Sequence, residues 1–267
     1  MIILLHVLVA AIYAAAAWAL WPRNAAPAPA QRNGGLALLA GALVLHGVAI
    51  SQAIVRPEGL DLSLVNALSL VAGLAVLVAW LTGVMRTLPG VTAVVLPVAA
   101  ACVLLPPLAA SPHRIPFADA PWAAAHIGVA LVGYAFLVVV ALQALVMTGL
   151  EKRLHRGLPD AATGASPPLL TLERYLFRLI TVGFVLLTLT LVSGILFSEQ
   201  LFGKPVEFTH KNVFSVAGWL AFAILLFGRW RYGWRGRTAL KWILSGTFLL
   251  ALGYLGSKFV LEILLRR

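Results

Sequence analysis

The sequence predicts an all-α integral membrane protein, a bundle of about eight transmembrane helices, and three observations support this prediction. Hydrophobic residues make up 61% of the 267 residues and charged residues only 11%, whereas soluble domains carry about 25% charged residues. The mean hydropathy of +0.97 is too high for one core with a wettable surface. Eight apolar runs also approach or exceed the roughly 20 residues that a helix needs to cross a bilayer.

The apolar runs follow one another along the whole chain, so we expect a single polytopic membrane domain over residues 1–267. The first run lacks a basic leader and is too long for the core of a signal peptide, so we interpret it as a helix. Before the sixth run, residues 169–180 read as an amphipathic lead-in that carries Glu173. The predicted spans are 1–21, 35–55, 63–85, 90–110, 121–149, 179–199, 212–229 and 238–262.

The formal net charge of +11 would raise nucleic acid as a partner in a soluble protein. Here the basic residues concentrate in alternate loops, and membrane lipid is the expected partner rather than nucleic acid. The positive-inside rule assigns such loops to the cytoplasm. Both termini are therefore predicted on the non-cytoplasmic side. The basic loops are 22–34, 86–89, 150–178 and 230–237, counted with the bases at their flanking helix ends.

Several chemistries have no residues to support them. Cys102 is the one cysteine, which excludes disulfide frameworks, thiolate metal sites and CxxC redox chemistry within this chain. The sequence has no P-loop, GxGxxG, HExxH or GxSxG motif, so nucleotide-driven transport and hydrolysis are not expected. We expect no enzymatic activity. Acid–base pairs are also missing from the middles of the spans, which argues against a proton-coupled permease.

Histidines are the ionisable residues that need an explanation. On the predicted topology His6, His46 and His126 lie within helices, in the half nearer the outer surface, and His113 and His210 lie in outer loops. Only His155 is cytoplasmic. A neutral imidazole is a good axial ligand for heme iron. The alternative for each intramembrane histidine is a hydrogen bond to a neighbouring helix, and loop histidines can simply be solvated.

The surroundings of His126 favour a planar ligand. Trp122, His126, Gly133 and Tyr134 share one helix face by their spacing. Trp122 could stack near such a ligand, and Gly133 would let another surface approach closely. The alternative for aromatic residues at span ends is the interfacial belt.

Two segments resemble the cytochrome c assembly protein family, the heme-handling membrane proteins of CcsA and CcmC type. In Lys211–Arg237 the resemblance rests on the initial Lys211, on Phe214 and Trp219, and on the turn Gly233–Gly236. In Trp122–Leu137 it rests on His126 ahead of Gly133-Tyr134-Ala135. His46, followed by Arg56 and Asn66, resembles an early membrane histidine of the family. The similarity extends over roughly 35–260.

The resemblance implies a heme site built around His46 and His126 as tentative iron ligands. The residues expected around the cofactor are Trp122, Tyr134, His210, Lys211 and Trp219. We expect His46 and His126 to face a common interior that opens toward the outer surface. His210 and Lys211 would lie at its mouth, where a helix N-terminus and a lysine favour a propionate. The alternative is that Lys211 only snorkels to the interface.

The sequence departs from the family's heme lyases in two places. Those carry a tryptophan-rich, WxWD-type loop before the Lys-initiated helix, whereas Glu199–Asn212 contains no Trp. Phe227 also stands where the family has a histidine. The chain therefore resembles the shorter HemX or YpjD-like branch, for which heme handling is implied and thioether ligation is not.

Three functions remain open from the sequence. The leading one is a heme-binding protein accessory to cytochrome c biogenesis or heme homeostasis, with heme and other cytochrome-assembly or heme-pathway proteins as partners. The second is a cofactor-free regulatory or scaffolding subunit, since HemX-type relatives are linked to control of tetrapyrrole synthesis. The third, a small-solute permease, has the least support.

Overall fold

The computed structural model describes residues 2–21, 29–56, 59–108, 114–115, 121–155, 169–196 and 210–259. The long helices are α1 (Ile2–Leu20), α2 (Pro29–Ile54), α3 (Leu64–Leu81), α5 (Pro89–Cys102), α6 (Pro121–His155), α7 (Leu169–Leu196), α8 (His210–Tyr232) and α9 (Gly236–Ala251). Shorter helical pieces are α4 (Val84–Thr87), a 3-10 turn (Pro106–Leu108), a π-helical turn (Leu252–Gly256) and α10 (Ser257–Phe259).

The prediction of eight membrane-spanning helices is confirmed. In the described chain, eight helical segments are long and apolar enough to cross a membrane, namely α1, α2, α3, α5 with its 3-10 turn, α6, α7, α8 and α9 with its π-helical turn. The side of the membrane on which the termini lie stays a prediction.

Two helices begin well before their predicted positions, and α6 continues to His155, past its predicted end at residue 149. Helix α2 begins at Pro29 rather than at residue 35, which is consistent with the preference of proline for the first turn of a helix. Helix α7 begins at Leu169, so the expected lead-in and the span form one continuous helix of 28 residues. Glu173 would not suit an apolar span, but two arginines neutralise it, as described below.

Antiparallel neighbours make the most extensive contacts, in the pairs α1–α2, α6–α7 and α8–α9. Helix α3 joins the helices that precede α6 to those that follow, because it packs on α5 and on α6. One apolar core extends through both groups of helices and includes Tyr13, Leu96, Leu137 and Phe222. The close approach expected at Gly133 is present, since a Cβ there would lie 3.3 Å from Leu186 Cβ of α7.

Three short strands mark one end of the bundle. They are β1 (Val55–Arg56), β2 (Gly59–Asp61) and β3 (Arg114–Ile115), and they form an antiparallel strip in which Val55 pairs with Leu60 and Asp61 with Arg114. Strands of two or three residues are too short to show an alternating pattern, so they were not predicted. We call this the strand end; the opposite end, where Gly233–Arg235 connects α8 to α9, is the turn end.

Candidate functional site at the strand end

Histidines gather at the strand end, as the sequence predicts. His6 lies near the start of α1, His46 near the end of α2 and His126 near the start of α6, while His210 is the first residue of α8. His155 lies at the opposite end of α6, and His113 lies outside the described residues. The histidines of the described chain therefore divide between the two ends in the predicted way.

His46 is buried, and both of its ring nitrogens are hydrogen-bonded. Nδ1 lies 3.1 Å from the Tyr13 hydroxyl of α1, and Nε2 lies 3.0 Å from the Ser69 hydroxyl of α3. The Tyr13 ring meets the imidazole edge-on, with ring centroids 5.7 Å apart. His6 is also buried and is close enough to His46 to interact with it electrostatically. Coordination of a metal by His46 would require one of its two hydrogen bonds to break.

The position of the His46 ring depends on a glycine of α3. A Cβ at Gly73 would lie 2.9 Å from His46 Cε1 and 3.0 Å from Nδ1. These separations are shorter than carbon–carbon van der Waals contact, so only glycine leaves room for the ring. Tyr13, Ser69 and Gly73 were not predicted as site residues, because their relation to His46 arises only when α1, α2 and α3 pack together.

Polar groups continue from His46 toward the strand end. Asp61 is the last residue of β2, and its carboxylate accepts a hydrogen bond of 3.1 Å from the Ser63 amide. The Asn66 side chain donates to the Asp61 carbonyl at 3.0 Å. Asn66 and Ser69 lie one turn apart on α3, so buried polar side chains connect the strip to His46.

His126 has a different environment, because it is half-buried and only one of its nitrogens is hydrogen-bonded to a described residue. Nδ1 lies 2.8 Å from the Ser193 hydroxyl of α7. The Ser193 hydroxyl itself donates to the Leu189 carbonyl at 2.7 Å. A Ser193 hydroxyl that donates to the Leu189 carbonyl can accept from Nδ1–H. In that neutral tautomer the lone pair is on Nε2, which makes no hydrogen bond to a described residue.

Among the residues predicted around His126, Trp122 and Lys211 lie near it. Trp122 lies one turn before it on α6 and is partly exposed. Lys211, near the start of α8, is exposed and interacts electrostatically with His126. His210 precedes it and is exposed as well. A Cβ at Gly194 would lie 3.4 Å from His126 Cε1, so α7 approaches the ring closely without crowding it.

Tyr134 and Trp219 lie deeper and pack on other aromatic rings. The Tyr134 ring lies 5.6 Å from that of Tyr254, and its hydroxyl interacts with the Ser215 side chain of α8. Trp219 stacks on Phe184 of α7 at 5.5 Å, and its indole nitrogen donates to the Thr188 hydroxyl at 2.9 Å. These contacts join α6, α7 and α8 beneath His126.

The two histidines of the predicted ligand pair have separate partners. His46 contacts α1 and α3, whereas His126 contacts α7 and lies near Lys211 of α8. Among the described residues they share no hydrogen-bond partner. A common interior that both histidines face stays a prediction. The absence of an aromatic platform in Glu199–Asn212 also stays a prediction, because residues 199–209 lie outside the described residues.

The turn end holds an ion-pair network that sequence reasoning missed. Glu173 accepts hydrogen bonds from Arg229 Nη1 at 3.1 Å and from Arg235 Nε at 3.0 Å. The hydrogen bonds and the negative charge of Glu173 raise the pKa of Arg235. Arg229 also donates to the Trp234 carbonyl and lies over the Phe177 ring, 4.5 Å from its centroid. From the sequence, the 230–237 loop and its flanking bases were assigned to the cytoplasm by their charge; in the structure two of these arginines also join α7 to the α8–α9 turn.

Comparison with known proteins agrees with the helical architecture. The family model described as cytochrome C assembly protein matches residues 37–265. Inner membrane protein YpjD of Escherichia coli (strain K12) is 32% identical over 250 residues, which cover 89% of this chain and 92% of that protein. Cytochrome c biogenesis protein CcsA of Prochlorococcus marinus (strain MIT 9515) is 29% identical over 185 residues, covering 62% of this chain and 59% of that protein.

No solved structure matches the chain. Its eight apolar helices and its similarity to an inner membrane protein over nearly the full length make it a multi-pass protein of the bacterial inner membrane. The predicted resemblance is confirmed, because the family model covers most of the sequence. The chain belongs to the cytochrome c assembly protein family.

Proposed function

We propose that this chain binds heme at the strand end, with His126 as an iron ligand, and serves as an accessory protein in cytochrome c biogenesis or heme homeostasis. The observation that carries the proposal is the hydrogen bond between His126 Nδ1 and Ser193, which in the Nδ1–H tautomer leaves the Nε2 lone pair available. Ligating histidines generally donate their other ring N–H in this way, which fixes the tautomer and orients the ring.

The neighbouring residues fit the other parts of a heme. Trp122 is exposed one turn from His126 and offers a flat apolar surface for the porphyrin. Lys211 is exposed beside His126 at the N-terminus of α8, where a propionate carboxylate would be favoured by both the lysine charge and the helix dipole. His210 stands next to it and can add a second donor.

The proposed role is to hold heme rather than to transform it. Bound heme would supply a redox-active iron whose ligation His126 controls. Ser193 would keep the imidazole in the ligating tautomer, and Lys211 would orient the propionates. Without tryptophans in Glu199–Asn212, the chain lacks the means to position vinyl groups against two thiols, and misplacement by about 1 Å can reduce a rate roughly 10²-fold. We propose no enzymatic activity, with heme and cytochrome-assembly proteins as partners.

A cofactor-free scaffolding role is the second candidate, and the state of His46 favours it. Both of its nitrogens are hydrogen-bonded within a buried contact of α1, α2 and α3, as expected of a histidine that specifies helix packing. In that case the family's helical core would be retained for contacts with partner proteins, with no heme bound.

Hemin titration of the purified protein distinguishes the two. We expect a Soret band and saturable binding for the wild type. Ser193→Ala should weaken binding about tenfold, because residues that hydrogen-bond to a metal ligand typically contribute 10–100-fold to affinity. Lys211→Ala should also weaken it, whereas Lys152→Ala, an exposed lysine on the far part of α6, should not. A protein that takes up no hemin would support the scaffold, and unchanged affinity in Lys211→Ala would mean that Lys211 only snorkels.

The expectation that the chain is not a cytochrome c synthase has its own test. The chain is expressed as the only assembly factor together with an apocytochrome in the same compartment. We expect covalent heme on the acceptor to stay at the background found without this protein. Covalent heme above that background would overturn the proposal that the chain only holds heme.

A further inference from the structure

A cavity of about 230 Å³ lies at the turn end, between α6, α7 and the start of α9. Its wall is apolar and includes Met147, Leu176, Phe177 and Ile243, and its charged residues are Glu151, Glu173 and Arg235. It lies far from His126, which is at the opposite end of α6. The volume exceeds the ~30 Å³ of one water but falls below the ~300–1,000 Å³ of a pocket that encloses a compact ligand.

Hydrogen-bond donors around this cavity are mostly engaged within the protein. Arg229 and Arg235 donate to Glu173. The Thr148 hydroxyl donates to the Ala144 carbonyl at 2.8 Å. The Gln143 amide nitrogen donates to the Leu172 carbonyl at 3.2 Å. Of these groups, Arg235 keeps donor capacity, because its Nη1 group makes no hydrogen bond to a described residue.

Acceptors, in contrast, remain available. The Glu151 carboxylate lines the cavity and forms no ion pair with a described residue. The cavity is thus suited to a ligand that donates hydrogen bonds and carries positive charge.

The lining carries charges of both signs. Glu151, on α6, forms no ion pair with a described residue. Arg235, on the α8–α9 turn, is half exposed, and its Nη1 group makes no hydrogen bond to a described residue. A headgroup with an ammonium on one side and a phosphate on the other would complement both residues. The apolar wall below would then cover the first part of an acyl chain.

We propose that this cavity binds one bilayer phospholipid with a primary-ammonium headgroup, such as phosphatidylethanolamine. The ammonium donates to Glu151, the phosphate accepts from Arg235, and the acyl chain enters between Met147 and Ile243. A phosphatidylcholine headgroup has the same charges but no N–H to donate, and an anionic headgroup brings no cation to Glu151. The site would therefore discriminate by hydrogen bonding as well as by charge.

Native mass spectrometry of the full chain tests this site. The purified protein is equilibrated with mixed micelles of phosphatidylethanolamine, phosphatidylcholine and phosphatidylglycerol with identical acyl chains, and the bound lipids are counted. We expect the wild type to retain phosphatidylethanolamine about three- to fivefold over phosphatidylcholine, which corresponds to the upper part of the range for one partly exposed charged contact. Glu151→Gln should bring the two lipids to parity, and Lys152→Gln should leave the preference unchanged.

A cavity-filling variant gives a second readout. Ala144→Leu adds volume to the lining of the cavity and should reduce the retention of all three lipids, whereas Ala125→Leu, at an exposed position of the same helix, should not. If Ala144→Leu does not fold, Glu151→Gln decides alone, since it changes no volume. Equal retention of the ethanolamine and choline lipids by the wild type would overturn the proposal, as would a preference that survives in Glu151→Gln.

Discussion

Replacement of Gly73 by alanine is expected to disrupt the contact between α2 and α3 that holds His46. The new Cβ would lie 2.9 Å from His46 Cε1 and 3.0 Å from Nδ1, so the ring has to move. The ring is buried against Tyr13, which is itself completely buried, and its displacement breaks the hydrogen bonds to Tyr13 and Ser69. Two such bonds contribute about 0.5–1.5 kcal/mol each, and overpacking costs about 1–3 kcal/mol. The expected loss of unfolding free energy is about 2–6 kcal/mol.

Gly47 provides a matched control next to His46 on α2. A Cβ there would meet nothing within 4 Å, so Gly47→Ala should leave stability unchanged or raise it by up to about 1 kcal/mol through helix propensity. Both variants are unfolded reversibly in mixed detergent micelles, with helical ellipticity as the signal. If Gly73→Ala proves as stable as Gly47→Ala, the ring is not held where the structure places it.

The remaining predictions concern the turn end and the topology. Glu173→Gln should destabilise the protein by about 1–3 kcal/mol, because it leaves the half-buried Arg229 without its carboxylate; thermal unfolding in detergent measures this, and an unchanged midpoint would show that the network is unimportant. Gly228→Ala should also destabilise the protein, because the new Cβ would lie 2.5 Å from Trp234 Cδ2 and displace the indole. The intrinsic tryptophan emission should shift and the midpoint of thermal unfolding should fall. An emission spectrum like that of the wild type would contradict this prediction. A single cysteine placed in the 150–178 connection, after replacement of the native cysteine, should resist an impermeant thiol reagent in intact cells; labelling from outside would reverse the predicted orientation.

Helix number and the grouping of the histidines could be predicted from the sequence. Both follow from local properties, since an apolar run of sufficient length must form a helix in lipid, and antiparallel helices bring alternate helix ends to the same side. His6, His46, His126 and His210 therefore lie at one end of the bundle. The family's early histidine and its later one were identified by residues close to them in the chain.

Partners of those histidines could not be predicted, because they come from other helices. Ser69 and Tyr13 meet His46, and Ser193 meets His126, only through the packing of α1, α3 and α7. Serines and tyrosines in apolar runs are common, and nothing in their spacing distinguishes these three. The two histidines look alike in the sequence, yet one has both nitrogens engaged and the other has a nitrogen available.

Contacts between distant residues also explain why the predicted start of the sixth span lay after Glu173. An acidic residue in a predicted lead-in suggested that the span began after it, whereas the structure places it inside α7, bound to Arg229 and Arg235. Its partners lie 56 and 62 residues away in sequence. The boundary of the span therefore depended on a tertiary ion pair that local hydropathy does not contain.

Ligation of heme iron by His126 can be tested with the reduced-minus-oxidised visible spectrum of the hemin-loaded protein, measured together with its hemin affinity. The wild type should show a Soret band, and His126→Ala should lose at least about tenfold in hemin affinity, with binding restored by added imidazole that enters the space left by the side chain. His155→Ala, at the opposite end of α6, should match the wild type. A His126→Ala protein with the wild-type spectrum and affinity would contradict the account.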